Sequence, residues 1–344
     1  MTIQAWWQQP AAPVSESFRQ QALERQNQLT KPPGSLGQLE QVAVQLAALQ
    51  QRVQPVIQQP QLVVFAGDHG VVAQGVSAFP QAVTVAMLSN FVAGGAAVAV
   101  LARLHGIGLS VVNCGTVTPC EHLAGVIQCP VMPGTQDFSQ QAAMSPAQAQ
   151  QALRIGAEQV ERLHAEGCDL FMAGEMGIGN TSAASCLAAL LLQQDVVALT
   201  GPGTGVQGDA LSHKQQVLAA SVARAQPLVS SPLQALEQVG GLELAAMCGA
   251  FMRAAQLGIP VLVDGFIATA SALLAVQLNP GVREWLLFGH RSAEPGHTAL
   301  LQALQAEPLI QLGMRLGEGS GAAVAYGVVQ KALALHNGMA TFAE

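Results

Sequence analysis

From residue 15 to residue 53 apolar side chains recur every three or four positions. Leu39, Val42, Leu46, Leu49 and Val53 form one stripe, so the spacing predicts helix and no strand there. Beyond it the pattern changes. Short aliphatic or β-branched runs alternate with long alanine-rich stretches, and Leu62–Phe65, Leu109–Val112, Val126–Cys129, Leu170–Met172, Val196–Leu199, Val261–Val263, Trp285–Phe288 and Leu309–Leu312 read as strands. Apolar strands separated by helices are the pattern of a parallel sheet covered on both faces. Ser145-Pro146-Ala147-Gln148 opens one of the helices with a capping box, and that helix is expected to reach about His164. A closed eight-stranded barrel shares this alternation, but an open α/β sheet is the favoured reading. The N-terminal helices then form a small satellite domain that the C-terminal helix can join.

Composition adds a partner. Hydrophobic residues make up 50% of the 344 and charged residues 10%, against a usual charged share of about 25%. Much of the surface is therefore expected to be apolar and covered by a second copy, as a homodimer. The net charge of -7, with no lysine or arginine cluster, argues against nucleic acid or anionic membrane as partner and for a small-molecule substrate. Cys114, Cys120, Cys129, Cys168, Cys186 and Cys248 form no Cys-x-x-Cys pair, which points to neither zinc nor disulfides and to a reducing compartment. Met1–Pro13 carries tryptophans and glutamines in place of a secretory pattern, so a cytoplasmic location is expected. Ala183–Leu192 and Phe266–Leu278 are shorter than the roughly 20 residues of a bilayer span and read as buried core helices.

Candidate chemistry gathers in glycine-rich turns, which in an open parallel sheet belong at the carboxyl ends of the strands. Arg315-Leu316-Gly317-Glu318-Gly319-Ser320-Gly321 sets an acid among glycines ahead of an apolar helix, placing Glu318 at a strand-to-helix mouth; a helix-capping Glu beside Arg315 is the competing reading. Gly174-Glu175-Met176-Gly177-Ile178-Gly179-Asn180-Thr181-Ser182 repeats the arrangement, and two such mouths point to one shared site. Gly203-Thr204-Gly205-Val206-Gln207-Gly208 fits G-x-G-x-x-G, the weak basis for an NAD-dependent oxidoreductase, but no acid follows at the ribose-binding distance. A phosphate cradle with Lys214 nearby and an ordinary glycine turn with a solvated lysine both remain open. Asn180, Thr181, Ser182 and Ser292, the last before a helix starting near Ala293, are each N-cap candidates that could together ring a phosphate. Asp68-His69 is read as a loop-fixing pair rather than a metal pair, and Asp264 as a satisfied buried acid that orders neighbouring turns. Phe79 to Met87 begins a long helix whose apolar face is either core or a wall for a flat ring.

These motifs, in order and over nearly the whole length, carry a resemblance. Lys31-Pro32-Pro33-Gly34-Ser35-Leu36-Gly37, Asp68-His69-Gly70-Val71, Gly174-Glu175-Met176-Gly177 with Asn180-Thr181, Val239-Gly240-Gly241, Val261–Phe266, Ser292-Ala293-Glu294 and Met314–Ala323 resemble the nicotinate-nucleotide:dimethylbenzimidazole phosphoribosyltransferase family of cobalamin lower-ligand synthesis. The resemblance implies a Rossmann-like three-layer domain at 59–318, a small helical domain from 1–58 and 319–344, a dimer and no cofactor or metal. It implies that an aromatic base attacks the anomeric carbon of nicotinate mononucleotide, giving α-ribazole 5'-phosphate and nicotinate with inversion. By position in the family motifs, Glu318 is the general base and Glu175 a second acid near ribose and base. Gly177, Asn180, Thr181, Gly203, Lys214 and Ser292 fall at the phosphate and ribose, and Phe79, Met87 and Leu316 at the base. Some family members carry Ser and Gln where this chain has Phe79 and Met87. A non-catalytic nucleotide- or base-binding protein is the third reading, against which the intact Glu318 and Glu175 speak.

Overall fold

In the computed structural model, which describes residues 5–342, six strands form one open sheet in the order β3-β2-β1-β4-β5-β6. The outer ends of the expected small domain and of the N-terminal segment read for a leader, 1–4 and 343–344, lie outside the described residues. The strands are β1 (Pro60–Gly67), β2 (Gly108–Gly115), β3 (Val126–Gln128), β4 (Leu170–Met176), β5 (Val261–Val263) and β6 (Leu286–Phe288). Every pairing between them is parallel. The winding reverses between β1 and β4, which is where an open sheet of this kind opens a crevice for ligands. Phe65 on β1 lies opposite Glu175 on β4, so the acid comes off the sheet at that switch point.

Thirteen α-helices surround the sheet among the described residues. Helices α1 (Glu16–Gln28) and α2 (Gln38–Gln50) precede β1; α3 (Ala82–Ala93) and α4 (Ala97–His105) join β1 to β2; α5 (Pro146–Ala165) leads into β4. Between β4 and β5 run α6 (Asn180–Leu192), α7 (Val196–Leu199), α8 (Asp209–Ala225), α9 (Pro232–Val239) and α10 (Leu242–Leu257), and α11 (Phe266–Leu278) joins β5 to β6. Helices α12 (His297–Ala303) and α13 (Ser320–Gly338) close the chain. The capping box at Ser145 and Gln148 forms as the sequence predicts, and α6 and α11 are buried core helices.

Four local expectations change. The predicted helix over 15–53 breaks between Gln28 and Gln38, where Pro32 and Pro33 lack N–H groups and Gly34 and Gly37 take positive φ. Val196–Leu199 is a helical turn rather than a strand because the Asp195 carboxylate accepts the Val197 N–H at 3.0 Å and caps it. Leu309–Leu312, bracketed by Pro308 and Gly313, makes only a single bridge, from Ile310 to His290. The longest apolar stretch is Ala82–His105, which passes the length test for a bilayer span by composition; in the fold it is two helices that part at Gly94, where φ is 80°. Thr84, Val85, Leu88 and Phe91 face the core, while Val92, Val100 and Leu104 stay exposed.

The largest helix contact is α5 against α10, and it is built on glycine. A methyl at Gly156 would collide with the Ala246 carbonyl, and one at Gly249 with the Leu153 carbonyl, so the two backbones touch. Overpacking such a seam costs about 1–3 kcal/mol. Gly249→Ala should therefore lower stability by about that amount in urea unfolding; an unchanged midpoint would show that the helices separate freely.

Candidate active site

Glu318 takes φ of 66°, a left-handed conformation that costs a non-glycine residue on the order of 1 kcal/mol or more. Three contacts hold it there. A side chain at Gly174 would collide with the Glu318 carbonyl, so this turn lies directly on β4; Leu62 of β1 packs under Gly319; and the Asp264 carboxylate, at the end of β5, accepts the Ala322 N–H at 2.8 Å. The segment before Glu318, 311–317, is irregular rather than a strand, which corrects the strand-to-helix reading. Glu318 does cap a helix, but not its own: Oε2 accepts the Val98 N–H of α4 at 3.3 Å. Arg315 does not pair with it, and donates instead to the Gly203 carbonyl at 3.1 Å.

Glu318 and Glu175 line one cavity of about 580 Å³, together with Gly177, Asn180, Thr181, Gly203, Ser292, Phe79, Met87 and Leu316. Ten of the eleven residues given a role by the resemblance thus meet in one place. The eleventh, Lys214, is buried behind the wall, where its ammonium donates to Thr181 Oγ1 at 2.9 Å and to the Gly201 carbonyl at 3.1 Å. The Gly201–Gly205 turn also departs from expectation. It follows α7 and not a strand, and the Gly203 N–H is taken by Glu294 Oε1 at 3.2 Å, so that N–H is not free for an anion. A dinucleotide fingerprint needs a strand before its glycines, and the oxidoreductase reading fails on that point.

The N-cap alternatives resolve as well. Gly179, with φ of 96°, caps α6, while Asn180 donates its amide to the Glu175 carboxylate. Ser292 accepts the Glu294 N–H at 3.3 Å, and the helix expected near Ala293 begins only at His297, after Pro295 and Gly296. Asp68 and His69 fix loops, as read: Asp68 accepts Thr84 Oγ1 at 2.6 Å and Val117 N–H at 2.9 Å, and His69 Nε2 lies 2.7 Å from Glu243 Oε1. Thr84 in turn accepts the Ile178 N–H at 3.2 Å, joining the loops after β1 and β4. No cluster of three or more metal-ligating side chains occurs among the described residues.

Sequence reasoning gave no role to Arg315, Thr204, His290 or Glu294, all of which line the cavity. Arg315 had a signal, its place three residues before Glu318 in a chain poor in charge. Beneath the rim, His297 Nδ1 accepts the Ser292 N–H at 2.7 Å, so Nε2 carries the proton toward Thr269 Oγ1 at 3.0 Å. Burial, with the charges of His290 and Arg291, drives its pKa down to about 3 and keeps that ring neutral.

A family model described as Phosphoribosyltransferase matches residues 11–344. The chain belongs to that phosphoribosyltransferase family. It is 54% identical over 339 residues to a protein of Ectopseudomonas mendocina named nicotinate-nucleotide–dimethylbenzimidazole phosphoribosyltransferase, covering 98% of this chain and 97% of that one. Identity is 55% to the protein of the same name from Xanthomonas campestris, with the same coverage. The crystal structure of the Thermus thermophilus protein of that name superposes with a TM-score of 0.91 at 44% identity, over 96% of this chain and 98% of that one. Such a family places this fold among enzymes, and the cavity acids become candidates for its chemistry.

Their environments differ. Burial first, then the charges of Asp264 and Glu243, push the Glu175 carboxyl up to about 8, with the Glu318 N–H pulling the other way. Burial also raises Glu318, opposed by the Val98 N–H and reinforced by Asp264. Glu175 therefore binds its proton in the folded state up to about pH 8, against an ordinary value of 4.5. Its contribution to stability is fully present below the ordinary value and is lost as pH rises through the folded one. Urea resistance should fall for this reason between about pH 5 and about pH 8.5, and Glu175→Gln should flatten the fall. Parallel curves for the two proteins would show that the carboxyl is already ionised.

Proposed function

We propose that this enzyme transfers the phosphoribosyl group of nicotinate mononucleotide to 5,6-dimethylbenzimidazole or a related aromatic base, giving α-ribazole 5'-phosphate and nicotinate. The observation that carries the reading is the convergence of two buried acids, Glu318 and Glu175, on one cavity with the apolar wall of Phe79, Met87 and Leu316. The close relatives that bear the corresponding name support it.

In this reaction the unprotonated ring nitrogen of the base attacks the anomeric carbon from the face opposite nicotinate. The bond to the pyridinium nitrogen breaks, its electron pair returns to that ring, and nicotinate leaves neutral at nitrogen. The new N-ribosyl azolium loses its remaining N–H proton to Glu318. Glu175, hydrogen-bonded to Asn180 and more strongly driven to the protonated form, faces ribose and base as donor and spacer. Gly177, Thr181 and Ser292 receive the phosphate and ribose beside the Gly203 turn, with Arg315 and the buried Lys214 supplying positive charge. Because a cationic pyridinium departs readily, alignment of two rings about one carbon is the larger task. Orientation supplies roughly 7–11 kcal/mol, whereas a general base supplies about 10²- to 10⁴-fold, or about 3–5 kcal/mol.

The wider organisation follows the same reading. The reading of a small helical unit made from both ends of the chain is supported by α13 packing on α2 and by Arg25 donating to the His336 carbonyl at 2.8 Å. The exposed Val92, Val100 and Leu104 on α3 and α4 support a homodimer through that face.

Mass analysis of nicotinate mononucleotide mixed with 5,6-dimethylbenzimidazole should find α-ribazole 5'-phosphate and nicotinate; an unchanged mixture would refute the assignment. Glu318→Ala should lower kcat by about 10²- to 10⁴-fold while both substrates still bind. Lys214→Ala should weaken nucleotide binding, and an unaltered nucleotide affinity would remove this residue from the phosphate site.

A further inference from the structure

Phe79 reaches the cavity from segment 77–79, which follows the buried Val76 and has little else to hold it. Upstream, Gln74 donates to Asp137 Oδ2 at 2.6 Å and its carbonyl lies 2.7 Å from His213 Nε2; downstream, Gln81 donates to the His69 carbonyl at 3.0 Å. Between these anchors Gly75 sits in the left-handed region, with φ of 73°, and Phe79 is half-exposed. Among the described residues, the only hydrogen bonds that 76–79 makes outside itself go to one hydroxyl, that of Thr204. Ala78 N–H donates to Thr204 Oγ1 at 3.1 Å, and Ser77 Oγ lies 3.0 Å from the same oxygen.

The protons settle into one arrangement. The Phe79 carbonyl can only accept and takes the Ser77 proton, so across the Ser77–Thr204 contact the Thr204 hydroxyl is the donor. Ser77 then gives its own to the Phe79 carbonyl at 3.1 Å and accepts the Phe79 N–H at 3.2 Å. Each hydrogen is used once, and the chain of bonds ends on the backbone of the residue that carries the ring. Thr204 is itself braced, since the neighbouring Gly203 donates its N–H to Glu294 and accepts from Arg315 at its carbonyl.

We propose that Thr204 is a positioning residue for the aromatic acceptor: its hydroxyl fastens segment 77–79 to the 201–205 turn and so holds the Phe79 ring at the cavity. The inference rests on the proposed reading of the cavity, with Phe79 as part of the base wall. An acceptor that needs this wall binds only the fraction of molecules in which the segment is docked, so releasing the segment weakens its affinity by that fraction.

The test is titration of 5,6-dimethylbenzimidazole into the whole protein, beside steady-state kinetics. Thr204→Val keeps the shape of the side chain and removes both hydrogen bonds; it should weaken base affinity and raise the base KM about tenfold, leaving nucleotide KM and kcat within about twofold. Thr204→Ser should restore both. Phe79→Ala should add little on top of Thr204→Val, because the two act through one contact. Base affinity unchanged in Thr204→Val, strict additivity with Phe79→Ala, or an equal rise in nucleotide KM would each overturn the inference. Failure of the wild type to release nicotinate would instead sink the proposed reaction, while the binding titrations would still decide the role of Thr204.

Discussion

At the switch point of the sheet, the Glu318 backbone lies on β4 with no side chain between them. Only hydrogen fits at Gly174, because any larger group would meet the Glu318 carbonyl. From that contact the rest of the site follows. The turn that bears Glu318 is seated by β1 through Leu62, by β4 through Gly174 and by β5 through Asp264, three adjacent strands acting on Gly319, Glu318 and Ala322 in turn. A left-handed glutamate is unfavourable alone, and it persists where its surroundings over-determine it. Rigid elements thus set the position of the acid more tightly than a free loop could.

Packing the turn so closely has an electrostatic consequence. Glu175, Asp264, Glu294 and Glu318 all lie buried around one cavity, and among the described residues Arg315 alone lines it as a fixed cation. Lys214, behind the wall, is itself pushed down to about 8 by burial, with Glu294 opposing the shift. Ionising every acid here would be costly, so protons are retained and the environment decides where. Glu175 has the deeper site and the like charges of Asp264 and Glu243. Glu318 keeps the positive end of α4 against one oxygen. Two carboxyls with diverging proton affinities is the usual basis for dividing acid from base. In the proposed reaction the same acidic surroundings suit a pyridinium at the start and an azolium just after bond formation.

How much of this could be read from the chain depends on the range of the signal. Capping at Ser145 and the apolar run of β1 are local, and the structure reproduces them. Val196–Leu199 misled because four apolar residues fit either state until Asp195 is recognised as a cap. Glycine turns bearing acids located the site, since close approach and charge in an apolar chain are both sequence properties. Partners remote in sequence were not legible: nothing local ties Glu318 to Val98, 220 residues away, or Gly203 to Glu294, 91 residues away. Glu294 at the Gly203 N–H, and Thr181 and the Gly201 carbonyl at the Lys214 ammonium, are partners of that kind.

The low charge of the chain returns at α4. Its N-terminus holds the Glu318 carboxylate, while along its outer side Val100 and Leu104 remain exposed and neighbouring α3 adds Val92. Exposed apolar side chains on two successive helices are the kind of surface a partner covers. A second copy seated there would press on the same helix whose first turn donates to the base. Because a short helix moves as a unit and its N–H groups go with it, such a contact would fix the donor as well as bury the surface. The composition of the chain and the placement of its acid would then answer to one constraint.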